Sequence, residues 1–379
     1  MRLLLSVLLM APAACGQSLI DPGKNSQLSE YFETHPDDKP LRCEANPIRP
    51  ALNFSFRFQS GYVFRVPLNQ FEGTHHRWSI LMRVRPADGG TPTVLGAEYR
   101  LPRVPKTKQV AEWGGVFWIG EGSYDVDWIL FDDSGRVCRK QWKIVAKLSP
   151  RERGVDPGIA PGKVAEVSFR GWSAQESADA APLDRLTVFL HAAPLFPRLT
   201  RLRVQDRLTL LGSLASLLES VPARSVRLVI FNLDQQKELF HDDNFTPQAF
   251  ERAARSMSSL QLQLVDYRVL ANRRGHVDLL TDLMNQESAA SQPANAVIFL
   301  GPAGRYLDNV PKNALEEHPG DRTRFFYLQY KPYMRANAEL PDSIELAVRK
   351  VHGRKIVIRT PEDFAKSIKQ VESQILARN

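Results

Sequence analysis

What the sequence withholds narrows its reading first. Three cysteines in 379 residues cannot build a multi-bridge scaffold or a cysteine-rich metal cluster. Past the first 17 residues no apolar run is long enough to cross a bilayer as a helix. Charge of one sign is not concentrated either. Lys and Arg total 50 against 42 Asp and Glu, a net charge of +8 spread along the chain. No dense basic run interleaved with aromatics occurs, which argues against a nucleic-acid footprint. Internal repeats and long low-complexity tracts are also missing. What remains is an ordinary globular composition, 43% hydrophobic and 24% charged, in a chain long enough for two domains.

Residues 1–17 read as a signal peptide. Arg2 precedes an apolar stretch from Leu3 to Met10, and small residues follow from Ala11 to Gly16. Ala14 and Gly16 suit cleavage before Gln17. The competing reading makes Cys15 the lipid-modified first residue of a bacterial lipoprotein, although Pro12 stands where Leu is expected three residues before it. Either way the expected destination is outside the cytoplasm, periplasmic or secreted. A membrane attachment is expected only if Cys15 is lipidated. Residues 18–40 are polar and read as an extended lead-in.

From 41 to 148 the hydrophobic period is two. Leu52, Phe54, Phe56 and Phe58 alternate with polar residues, as do Trp78, Ile80, Met82 and Val84, and then Tyr124, Val126, Trp128 and Leu130. Each run predicts a strand with one face in a core. Turn-forming clusters separate them, and about seven short strands predict an antiparallel sandwich. The entry Gly122-Ser-Tyr-Asp-Val126 resembles the penultimate strand of an immunoglobulin-like domain. Cys43 and Cys138 flank this region. In an exported chain two such cysteines favour a disulfide, with two separate buried thiols as the alternative.

Residues 149–182 carry Pro, Gly, Ser and Ala and read as a linker with one strand-like piece from Val164. The period then changes. Leu186–Ala193 is a buried-strand pattern, and Val204, Leu208, Leu211, Ala215 and Leu218 form a helical stripe. Strands predicted at 225–232, 295–300, 324–330 and 355–359 alternate with helices up to the last, which opens at Thr360-Pro-Glu-Asp363. This alternation over 183–379 predicts a doubly wound, mostly parallel α/β sheet.

The order of these elements, with Leu186-Thr-Val-Phe-Leu190, Ser225–Phe231, Ala296–Leu300, Phe325–Gln329 and Lys355–Arg359, resembles a von Willebrand factor A domain of the exported bacterial kind. The resemblance implies a metal-ion-dependent adhesion site: Asp-x-Ser-x-Ser after the first strand, with a Thr and an Asp from later loops. This chain departs from that pattern. His191 stands for the first Asp, Ala193 and Leu195 for the serines, Gly301-Pro302 for the later Asp, and Gly275-His-Val277 offers no Thr. A hard cation needs several oxygen ligands, so no metal and no cofactor are expected.

Other candidates are weak. His75-His76 are neighbours that point apart in an extended chain. Gly301-x-x-Gly304 lacks the Lys-Ser/Thr of a phosphate loop, and His241-Asp-Asp-Asn244 reads as a solvated loop. Six arginines are the positive feature. Arg198, Arg201 and Arg203 follow the first strand, Arg273 and Arg274 precede a later helix, and Arg305 follows the fourth strand. In a doubly wound sheet these segments meet at the carboxyl edge. The expected function is therefore a non-enzymatic, metal-independent protein-interaction module with a partner acidic at the contact. An envelope hydrolase or transferase with His191 as base is the alternative. Millimolar Mg²⁺ or Mn²⁺ should leave the melting temperature unchanged, since an ion stabilises only a fold that offers it ligands. A reproducible rise in a thermal scan would reveal oxygen ligands drawn from elsewhere.

Overall fold

The computed structural model describes residues 17–21, 29–33, 38–167, 183–196, 199–258, 260–262, 266–290, 292–311, 313–315, 323–332 and 341–376. The Cys15 and Arg198 readings lie outside these residues. Two compact units divide the chain. Arg57–Ser149, with Asp156–Val167 and residues up to Leu52, forms the first. Asn53–Phe56 and Pro150–Val155 group with the C-terminal region in the second.

The first unit is a β-sandwich. Its strands are β1 (Ser18–Ile20), β2 (Lys39–Pro40), β3 (Glu44–Leu52), β4 (Phe58–Pro67), β5 (Arg77–Pro86), β6 (Thr93–Arg100), β7 (Val110–Ile119), β8 (Gly122–Asp132), β9 (Arg136–Ala146) and β10 (Val164–Glu166). One sheet runs β1-β6-β5-β8-β9-β2 and the other β10-β7-β4-β3. Pairing is antiparallel except between β2 and β9. The predicted alternations on β5 and β8 bury one face as expected: Trp78, Ile80, Met82 and Val84, then Tyr124, Val126, Trp128 and Leu130, are all sealed. Phe64 is the hub, with ring centroids 5.9 Å from Trp78 and 5.6 Å from Trp128. Tyr124 donates its hydroxyl to the Gly120 carbonyl at 2.8 Å, pinning the corner that leads into β8.

Two expectations need adjustment. The lead-in is part of the sheet: β1 pairs with β6 and β2 with β9. Between them Tyr31 stacks on Phe131 at 5.7 Å, and Arg83 lies over the Phe32 ring at 4.5 Å. The expected strand through Leu52–Phe58 is instead broken. The Asn53 carboxamide oxygen accepts from Ser55 N at 2.9 Å and Ser55 Oγ at 2.6 Å, and Phe56 takes a φ of 52°. That side-chain turn competes with the ladder. Phe54 packs edge-on to Tyr330 at 5.1 Å, and Phe56 lies 5.5 Å from Phe364.

The second unit is an α/β domain. It comprises β11 (Leu183–His191), α1 (Val204–Ser220), β12 (Ala223–Asn232), β13 (Lys237–Asp242), α2 (Phe250–Ser258), α3 (Tyr267–Ala271), α4 (Gly275–Ser288), β14 (Ala296–Pro302), β15 (Arg324–Tyr330), α5 (Ser343–Lys350), β16 (Arg354–Ile358) and α6 (Pro361–Leu376). The sheet order is β13-β12-β11-β14-β15-β16, parallel throughout except at β13. Strand β13 takes in His241 and Asp242, which the sequence assigned to a loop; its Lys237-Glu-Leu-Phe-His-Asp carries only a weak alternation. Leu186, Val188 and Leu190 face a core shared with α1, α2 and α6. Phe189 faces the opposite core, formed with α4 and α5. The last helix is boxed as predicted: Thr360 Oγ1 accepts from Asp363 N, and Asp363 Oδ2 from Thr360 N, both at 3.1 Å.

Cys43 and Cys138 form the sandwich's disulfide, with Cα atoms 6.2 Å apart and a sequence separation of 95. Cys43 sits just before β3 of one sheet and Cys138 on β9 of the other, so the bridge joins the two sheets. Closing so long a loop stabilises by roughly 3–5 kcal/mol on loop-entropy grounds. Mass spectrometry of protein isolated without reductant should find the bridge. Denaturant titration of a Cys138→Ser variant should show a loss of that order, and an unchanged midpoint would contradict it.

Candidate functional site

Parallel strands β11, β12, β14 and β15 all end at one edge, where chemistry in such sheets is placed. The order reverses between β11 and β14, so the topological switch point of the sheet lies beside the end of β11. His191 is the last residue of that strand and is 2% exposed. The Pro302 carbonyl lies 3.0 Å from its Nδ1, which fixes the proton on that nitrogen because a carbonyl can only accept. Its Nε2 is buried and has no hydrogen-bond partner among the described residues. The ring stacks on Phe231 with centroids 5.2 Å apart. Burial holds the imidazole pKa below the ordinary histidine value. The Pro302 carbonyl and the carboxylates of Asp234 and Asp342 partly oppose that shift.

Gly301 makes this contact feasible. Its φ is 150°, and a Cβ there would stand 2.7 Å from the His191 carbonyl oxygen. The β11 end is further tied to β12: Ala192 N donates to the Phe231 carbonyl at 2.8 Å, and Asn232 Nδ2 to the Ala192 carbonyl at 2.7 Å.

Asp342 anchors the other side and is also 2% exposed. Its Oδ1 caps α5 by accepting from Glu345 N at 2.8 Å. Its Oδ2 accepts from Gly304 N at 2.8 Å and from the Tyr327 hydroxyl and Gln329 Nε2, each at 2.9 Å. Burial raises the Tyr327 phenol well above its ordinary pKa, and the Asp342 charge adds to that. A carboxylate with four donors is satisfied in place. Sequence reasoning passed over Asp342, yet a signal was present: Asp342-x-x-Glu345 ahead of the apolar Ile344 and Val348 is a helix-start pattern.

The arginines fall into two groups. Arg203 binds Asp206 at 3.0 Å and lies over the Phe196 ring at 4.8 Å. Arg274 Nη2 reaches the Asn309 carbonyl at 3.3 Å. Arg305 donates from Nη2 to the Leu199 carbonyl at 2.5 Å, and its Nε lies 3.4 Å from Asp234. Arg274 and Arg305 fasten separate loops to one another, whereas Arg203 is tied within its own segment. Arg201 and Arg273 are exposed beside them. A second histidine, also missed, lies here. His276 opens α4 with Nε2 2.9 Å from Asp308 and its ring stacked at 3.9 Å on Tyr306.

The remaining candidates stay apart from this edge. His75 sits at a φ of 71°, and His76 approaches Asp133 at 3.7 Å on the sandwich. His241 pairs with Glu238 and Asp243, each at 3.2 Å. Among the described residues no three His, Cys, Asp or Glu side chains converge on a metal-sized site.

No family model matches the chain, and no curated protein matches it. Several solved structures show partial likeness. A candidate ApaA protein from Bordetella pertussis is 10% identical, covering 30% of this chain and 99% of that one at a TM-score of 0.21. A lipoprotein from Bacteroides thetaiotaomicron is 12% identical, covering 31% of this chain and 88% of that one at 0.18. A beta-glucuronidase from Bacteroides uniformis is 8% identical, covering 82% of this chain and 38% of that one at 0.20. Scores this low carry no argument about function.

The buried imidazole has a pH signature. Its folded pKa is depressed, so between that value and about 6.5 the unfolded chain holds a proton that the folded protein does not. Stability is then fully present above about pH 6.5 and falls as pH drops through that window. Denaturant titrations at a series of pH values should show a steeper acid loss for the native protein than for His191→Gln. Parallel curves would mean that His191 does not titrate in this way.

Proposed function

We propose that this is an exported protein-interaction module, an immunoglobulin-like sandwich joined to a von Willebrand factor A-like domain that binds without a metal. The Tyr124 corner and the two antiparallel sheets support the first part. The strand order about β11, antiparallel only at β13, supports the second. The signal-like start and the Cys43–Cys138 bridge support export, because structural disulfides persist in oxidising compartments. No helix among the described residues is long and apolar enough to cross a membrane.

One observation carries the functional reading. At the end of β11, His191 Nδ1 and the Asp342 carboxylate are sealed and bonded inward, while Arg201 and Arg273 are exposed. A base must reach its substrate's proton, and a 2% exposed His191 donating to a backbone carbonyl is poorly placed for that. Guanidinium groups instead suit a partner's carboxylates, with paired hydrogen bonds of fixed geometry.

Such a contact is sensitive to salt, since exposed charges are screened within about 8–10 Å at physiological ionic strength. Replacing Arg201 and Arg273 together by Ser should slow association with the partner recovered from the exported fraction by about tenfold and flatten its salt dependence. The melting temperature should not move. Surface-binding kinetics that are unchanged by the double substitution and indifferent to salt would refute the arginine contact.

A further inference from the structure

We infer that the Cys43–Cys138 bridge is a thiol-exchange site: a small thiol enters the groove that both cysteines line and attacks Cys43 while the sandwich stays folded. This goes beyond the proposed interaction role and does not depend on it. The groove measures about 820 Å³, and Leu41, Pro67, Val110 and Val137 give it apolar walls around the two cysteines. That volume accommodates a molecule of tripeptide size. A bridge packed inside a core offers no such approach, and exchange requires one, because the attacking thiolate must reach a sulfur directly.

The pleat explains why the bridge is reachable. Cys138 stands opposite Leu130 of β8, and Lys140 opposite Trp128. Leu130 and Trp128 are sealed in the core, and residues opposite one another in an antiparallel pair share a face. Cys138 and Lys140 therefore both point to the inner side of their sheet, about 7 Å apart along the strand. Lys140 is nonetheless exposed, so the inner face of β9 already meets solvent one step beyond the bridge. Strand β2 pairs with β9 at Arg136 and Val137 and stops before this point. Cys43 immediately precedes β3, the edge strand of the opposite sheet.

The two sulfurs are not equivalent. Cys43 is half-buried and Cys138 is 7% exposed, so Cys43 is the side that an incoming thiolate meets. Its attack forms a mixed disulfide on Cys43, and the electron pair of the broken S–S bond leaves with Cys138 as a thiolate. A second thiolate then attacks the mixed disulfide and frees Cys43. In sum two small thiols are oxidised to one disulfide, and the bridge is reduced to two thiols that take up the reagents' protons. Charge favours the first step. Arg42, Arg65, Arg139 and Lys140 line the groove against Glu44 and Glu112. Arg65 is tied to Glu112 and Arg139 to Asp38, which leaves Arg42 and Lys140 against Glu44. That positive excess draws a thiolate in, and Lys140, on the same face as Cys138, stabilises the sulfur that departs.

Exchange on the folded, oxidised protein tests this. The full-length exported chain is incubated with millimolar glutathione without denaturant, quenched with N-ethylmaleimide, digested and read by mass spectrometry. Glutathione on Cys43 with maleimide on Cys138 is expected, forming at a rate proportional to thiolate concentration. Lys140→Met should slow that rate about threefold, through the poorer leaving group, with the melting temperature unchanged. A rate that levels off at the global unfolding rate, measured by denaturant jump, would show that the bridge opens only in the unfolded chain and would overturn the site. A bridge left intact, or glutathione on Cys138 instead, would overturn it equally. An adduct that forms on Cys43 just as fast in Lys140→Met upholds the site and refutes the part assigned to the lysine.

Discussion

The α/β unit depends on the double-sided burial of β11. Its residues pair in parallel with β12 on one side and β14 on the other, with Val188 opposite Leu228 and Ile298. Leu186, Val188, Phe189 and Leu190 are fully buried, and alternate side chains enter the two opposite cores. At about 25 cal/mol per Å² of apolar surface, burying such a strand on both faces contributes substantially to the unit's stability. A strand fixed on both faces also fixes where its last residue stands. That is why His191, and no loop residue, stands at the switch point of the sheet.

Burial then dictates the chemistry of the polar groups caught beside it. A buried donor or acceptor without a partner costs about 1–3 kcal/mol. His191 Nδ1 is matched to Pro302, and Asp342 gathers four donors from three segments. A similar logic holds nearer the opposite end of the sheet, where Arg227 on β12 meets the fully buried Glu287 of α4 at 3.0 Å. These groups bind the elements together and leave the edge to present arginine side chains outward. The sandwich solves its own problem differently. Interlocking aromatics around Phe64 fill its centre, and a disulfide joins its two sheets where β3 meets β9.

Much of the fold was legible because hydrophobic period reports local geometry directly. Period two on β5 and β8, the stripe of α1 and the capping box of α6 each translate into one element. Leu52–Phe58 misled for the same reason. Its alternation satisfies a strand, but the Asn53 side chain offers its own backbone a turn, and Phe54 and Phe56 find aromatic partners in the second unit. Strand β13 went unseen because an edge strand with polar residues on both faces carries little periodic signal.

By itself the sequence determined the two kinds of layer, the position of the first buried strand and the pair of cysteines able to bridge. All of these follow from residue type and spacing along one strand or helix. Tertiary structure alone decided that Asp342 and Asp234 lie beside His191, and that Arg274 and Arg305 bond to neighbouring loops while Arg201 and Arg273 meet solvent. Those relations join segments separated by tens to more than a hundred residues. They are set by which strand neighbours which, a choice made by packing two cores at once and written in no local run of the chain.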